Sequence, residues 1–98
     1  MAKKRVVWTA QAENDRIDIL TYWRNRNKSS AYSAKLHQLF KEGVLLIQAN
    51  PTIGKPTNID GIRSKIVRDY LIFYEEMEDE IVILAIWDNR RNPTKLKI

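Results

Sequence analysis

Five cations in the second half of the chain have the types and placing to grip an anion: Lys55, Arg63, Lys65, Arg90 and Arg91. Arg63 opens the strand-like run Ile62-Arg63-Ser64-Lys65-Ile66-Val67-Arg68, and Arg90-Arg91 stand just past another, Ile81 to Trp87. A guanidinium is planar, permanently charged and donates two parallel hydrogen bonds, so arginines gathered at one point hold a phosphate or carboxylate. Neighbouring strands of a meander can bring such ends together. Arg63 and Arg90 are therefore the expected centre of a site, with Lys55 on the loop before the strand. Taken singly, Lys65 and Arg91 read as solvated charges.

Such a centre positions a phosphate and stabilises added charge, but an arginine does not remove a proton. Cutting RNA through its 2′-hydroxyl needs a general base and an acid for the leaving oxygen. His37, the only histidine, follows the apolar Leu36 and falls off the helical stripe, which makes it a surface residue. Tyr70 and Tyr74 sit in a strand-like run, and a phenol with a reference pKa of about 10 is a poor base. There is no cysteine and no second histidine, so no metal site and no cofactor is expected. Trp8, Trp23, Phe73 and Trp87 read as core or edge packing rather than as surfaces for stacking bases.

These side chains must be positioned by an α+β domain of order β-α-α-β-β-β, a helical hairpin packed on a small antiparallel sheet. Lys4 to Trp8 is a short strand, and Thr9 is placed to cap a helix from Ala10 to about Arg26. That helix buries Ala12, Ile19, Leu20 and Trp23, with Arg16 at the stripe's edge. Asn25 to Lys28 forms a turn. Ser29 or Ser30 then caps a second helix to Ala49, whose stripe is Tyr32, Leu36, Leu39, Phe40, Gly43, Val44 and Ile47. Glycine on that stripe implies a close crossing, here expected with the first helix. Asn50 to Pro56 is a loop, because both its prolines resist helix. Three strands follow, broken at Asp69 and at the acidic turn Met77 to Glu80. The last is apolar on both faces, as a central strand would be.

Ninety-eight residues without an internal linker make one domain, 1–98. Its formal charge of +5 understates the basic surface: five of twelve acidic residues lie between Glu75 and Glu80, and the remainder carries 17 Lys and Arg against 7 acids. Such an excess fits a polyanion or an acidic peptide, or serves solubility alone. No apolar run approaches the length of a membrane span, and the basic N-terminus lacks the apolar core of a signal peptide, so a cytoplasmic, soluble protein is expected.

The ordered set of segments resembles the RelE/ParE family of toxins from bacterial type II toxin–antitoxin (plasmid stabilisation) modules. The likeness runs through Ala12-Glu13-Asn14-Asp15 with Ile19 and Tyr22, then Ile47 to Pro56, Ile62-Arg63, Tyr70 to Tyr74, and Ile83 to Trp87 leading into Arg90-Arg91-Asn92-Pro93. The resemblance implies a cognate antitoxin that wraps the toxin, and operator DNA bound only through the antitoxin complex. RelE-like members cut mRNA on the ribosome; ParE-like members inhibit DNA gyrase without being nucleases. A RelE-like site would correspond to Arg63 and Arg90 as catalytic residues, with Lys55 assisting. RelE-like nucleases usually carry a Tyr or His-Tyr after the last strand, where this chain reads Asn92 to Ile98 without either. The resemblance therefore leans to the gyrase inhibitor, with the mRNA interferase and a degenerate, antitoxin-binding toxin as the other readings.

Overall fold

A computed structural model describes residues 3–91 and Leu96; the C-terminal stretch compared above lies, apart from Leu96, outside the described residues. Strand β1 (Arg5–Trp8) leads into helix α1 (Ala10–Asn27). Thr9 is extended, and its hydroxyl accepts the Ala12 N–H at 3.1 Å while donating to the Leu84 carbonyl at 3.0 Å. One side chain thus caps the helix and ties it to the sheet. The helix runs through most of the expected turn and stops at Lys28, which adopts a left-handed φ of 50°. Helix α2 (Ala31–Ala49) follows; Ser30 holds its cap position without a side-chain bond, and Ser29 Oγ instead accepts the Ala31 N–H.

The α2 stripe buries Leu36, Phe40, Val44 and Ile47 as its spacing predicts. Helix α1 is thinner: Ala12 is buried, whereas Ile19, Leu20 and Trp23 pack against the core half-covered. Arg16 lies at the core's edge, over the Trp8 ring at 4.5 Å and paired with Glu13 at 2.6 Å. The close approach at Gly43 is made to the sheet, not to α1. A Cβ there would stand 2.8 Å from Val67 Cγ2 and 3.6 Å from Ile72 Cδ1.

Strands β2 (Lys55–Pro56), β3 (Ile62–Val67), β4 (Tyr70–Glu76) and β5 (Glu80–Asp88) complete a sheet of order β1-β5-β4-β3-β2. The last three form the expected antiparallel meander. Two pairings are not announced by the sequence: β2 adds two residues of edge within the expected loop, and β1 joins β5 in parallel, making the sheet mixed. β5 is flanked on both sides only as far as Ile83. There a bulge sets Tyr74 opposite Ile83 and Phe73 opposite Ala85, skipping Leu84. Beyond it α1 covers the edge, and Asp15 accepts the Ile86 N–H at 3.0 Å. The acidic hairpin is only partly left to solvent, since Lys4 pairs with Glu76 and Arg5 with Glu80. No helix among the described residues is long and apolar enough to cross a membrane.

Candidate functional site

The register of the sheet decides where the cations lie. Arg63 faces Tyr74, which faces Ile83; Tyr70, at the other end of β4, faces Asp88. Arg63 is thus level with the middle of β5, while Arg90 lies two residues past its end. Five residues at about 3.3 Å rise and two strand spacings of about 4.8 Å put Arg63 roughly 20 Å from Asp88 at that end, and Arg90 lies beyond it. The expectation that the two ends meet is overturned for a topological reason. β3 and β5 both run antiparallel to β4, so they point the same way, and the start of one cannot meet the end of the other.

Each arginine already has partners. Arg63 donates through Nη1 to the Gly54 carbonyl at 2.8 Å, with a longer contact to the Thr52 carbonyl at 3.5 Å. Beside it the Tyr74 hydroxyl accepts the Gly54 N–H at 2.9 Å and donates to the Pro51 carbonyl at 2.7 Å. Gly54 is required at this point: a Cβ would come within 2.6 Å of Tyr74 Oη and 2.8 Å of the Ser64 carbonyl. Arg63 and Tyr74 together bind the 50–56 loop to the sheet, and that loop carries Lys55.

At the other end Arg90 is clamped by Asp88. Its backbone N–H and Nε both donate to Oδ1, and Nη2 donates to Oδ2, all at 2.9 Å. The guanidinium holds the Asp88 carboxyl below the usual carboxylate range. Arg91 lies over the Trp87 ring at 4.9 Å. Arg90 and Arg91 border a cleft of about 400 Å³ between α1 and the end of β5, floored by Ile19, Tyr70 and Ile86 and rimmed by Asp15 and Asp18. Lys55 and Lys65 share a second hollow with Ile53, Ser64, Ile66 and Leu71. The five cations therefore fall into three places: Arg63 inside the loop, the two lysines along the β3 edge, and Arg90 with Arg91 at the end of β5.

Proton-transfer groups are scarce around these cations. Burial pushes the Tyr74 phenol above its ordinary value, only partly offset by the Gly54 N–H, and burial does the same to Tyr70 despite the bond from Trp23 Nε1 at 2.7 Å. Both shifts lead away from a base at neutral pH. Asp15 is raised by burial against the Ile86 N–H, but that hydrogen bond occupies it. His37 is exposed on α2. Among the described residues no group of His, Cys, Asp or Glu could hold a metal ion.

A family model described as the ParE toxin of the type II toxin–antitoxin system parDE matches residues 6–93, nearly the whole chain. The chain belongs to the ParE toxin family. In fold, this ParE-family toxin is similar to a structure of the chromosomal ParDE system from P. aeruginosa, with a TM-score of 0.77 at 23% identity over 88% of this chain and 96% of that one. Two structures of the E. coli DinJ-YafQ complex match at a TM-score of 0.54 and 11% identity, over 91% and 90% of this chain and 96% of each of theirs. No curated protein sequence matches significantly. Membership of a toxin–antitoxin family implies a cognate antitoxin as partner.

Sequence reasoning missed the Asp88 clamp and the Tyr74–loop network. The Asp-x-Arg spacing at 88 and 90 carried the first signal, since a carboxylate two residues before an arginine can reach it. The second had none: Tyr74 and Gly54 meet only through the pairing of β4 with β3 and the fold of the intervening loop.

Proposed function

We propose that this toxin acts in the cytoplasm as a ParE-like inhibitor of DNA gyrase, binding its target rather than cutting RNA. The observation that supports this reading is the separation of Arg63 from Arg90. A phosphate-cleaving centre built on both would need them within one phosphate's reach, whereas about 20 Å already parts Arg63 from the end of β5 that precedes Arg90. Each guanidinium is also bonded to the toxin itself, one to loop carbonyls and one to Asp88. The raised tyrosine phenols offer no base beside either. Under this reading Lys55, Lys65, Arg90 and Arg91 serve partner binding, and Arg63 serves the loop that presents Lys55.

The test is a gyrase supercoiling assay with antitoxin-free toxin. Loss of supercoiling at micromolar toxin, restored by antitoxin, is expected. Undisturbed supercoiling at saturating toxin would refute the proposal. Primer extension on a defined mRNA in a purified translation system is the complementary measurement; intact message is expected. Discrete new ends that vanish with Arg90→Ala would establish the mRNA interferase instead.

A further inference from the structure

Charge is sorted along the long direction of the sheet. The hairpin between β4 and β5 carries Glu75 to Glu80 at one end. Three elements finish together at the other. Trp23 of α1 bonds the Tyr70 hydroxyl at the start of β4, so Arg24, Arg26 and Lys28 project past that end of the sheet. The β3–β4 turn presents Arg68 in a left-handed conformation, φ 57°. Asn89 N–H bonds the Asp69 carbonyl of that same turn, which sets Arg90 and Arg91 beside it. All six cations are exposed.

The carboxylates at this end offset only part of that charge: Asp88 pairs with Arg90, and Asp15, Asp18 and Asp69 lie nearby, which leaves six cations against four acids. With cations spread over three elements, and with the cleft beside Arg90 and Arg91 rimmed by Asp15 and Asp18 and so unsuited to a single anion, this pole matches a repeating phosphate backbone rather than one phosphate. Trp87 lies under Arg91, and Trp23 is packed edge-on between Tyr22 and Tyr32, so that Tyr22 is the one largely exposed ring described at this end. Single-strand binders stack successive bases on several free rings, so a pole with one such ring and six cations fits a duplex.

We infer that the basic pole formed by the end of α1, the β3–β4 turn and the residues after β5 binds the phosphate backbone of double-stranded DNA directly and without sequence preference. This goes beyond inhibition of gyrase and stands without it, because the contact is made by the toxin alone. For a toxin that does engage gyrase, it places the pole against the DNA the enzyme carries.

Fluorescence anisotropy of a labelled 30-bp duplex of arbitrary sequence, titrated with the full chain, tests this. Contact with four to six phosphates gives a log–log salt slope of about −3.5 to −5.5, a loss of roughly 10²–10³-fold between 50 and 200 mM salt. The pair Arg68→Glu with Arg91→Glu should weaken binding at least tenfold. The pair Lys3→Glu with Lys41→Glu, equal in charge but away from the pole, should change it less than threefold. Thermal melts that superimpose for both pairs show that folding is not the cause. Four results would each overturn the inference: no binding at 50 mM salt and micromolar protein, a slope shallower than about −1, equal losses for the two pairs, or tenfold tighter binding to a single-stranded RNA of the same length. Supercoiling read on the same variants separates the two proposals. A pole variant that loses duplex binding while the parent inhibits gyrase leaves both standing, and a parent that binds duplex without inhibiting gyrase removes only the first.

Discussion

Replacing Tyr74 by Phe removes one oxygen atom from a fully buried ring, and the structure sets the cost. The hydroxyl donates to the Pro51 carbonyl and accepts from the Gly54 N–H, and Gly54 is itself buried. Loss of an ordinary hydrogen bond costs about 1 kcal/mol, and the carbonyl, which is half-buried, can turn to water. The Gly54 N–H has no such recourse. Left unpaired in the interior it costs a further 1–3 kcal/mol or so, giving a total of about 2–4 kcal/mol. For a chain of this size that lowers Tm by roughly 10–25 °C. Urea denaturation followed by tryptophan fluorescence measures it, with an unchanged m-value showing that the same surface is exposed. The 50–56 loop should also lose amide-exchange protection at Gly54 before the rest of the sheet does. A destabilisation below about 0.5 kcal/mol, or uniform loss of protection, would refute the claim that this hydroxyl anchors the loop.

Gly43→Ala gains about 1 kcal/mol of helix propensity yet sets its methyl 2.8 Å from Val67, so net destabilisation of about 1–2 kcal/mol is expected. In a double-mutant cycle Val67→Ala should reverse its sign, and additivity of the two would refute the contact. Burial raises the Asp15 carboxyl in the folded state, so its charged form costs stability above the folded pKa, and the cost fades as pH falls toward its ordinary value of 3.8. Asp15→Asn, which keeps an acceptor for the Ile86 N–H, should therefore stabilise at pH 7 and match the parent near pH 3 in thermal melts. Asp88 has the opposite sign: its carboxyl is lowered by Arg90, so its contribution is present above pH 3.8 and lost as pH falls through the folded value. Asp88→Asn should cost little at neutral pH, because Arg90 is largely exposed and the pair is screened by solvent, and nothing in strong acid.

Elements whose identity rests on local pattern could be read from the chain. The α2 stripe, the Thr9 cap and the break at Asp69 depend on residues within a few positions of one another, and all three appear where the spacing puts them. Relations across the sheet could not be read in this way. The alternation of β3 and β5 says which face each residue takes, but not that the two strands run in one direction, and that direction is what parts Arg63 from Arg90. Gly43 shows the same limit from the helix side. A glycine on an apolar stripe announces a close neighbour without naming it, and the neighbour is Val67. The basic excess was legible as a number, whereas its concentration at one pole follows from where three distant segments end.

The parallel pairing of β1 with β5 bears on when the toxin comes into being during synthesis. Arg5 and Glu80 are partners separated by 75 residues. The first strand therefore leaves the ribosome without its partner, and at about 5–20 residues per second it waits roughly 4–15 s for that partner to be made. The helical hairpin can form early from its own short-range contacts, but the bulged strand whose Leu84 carbonyl accepts the Thr9 hydroxyl and which receives β1 is made only after it. A chain interrupted before Glu80 lacks the central seam of the sheet altogether. Nascent fragments that stop short of β5 should then be harmless to the cell that makes them, and an antitoxin translated alongside would meet a paired β1 only once β5 has emerged.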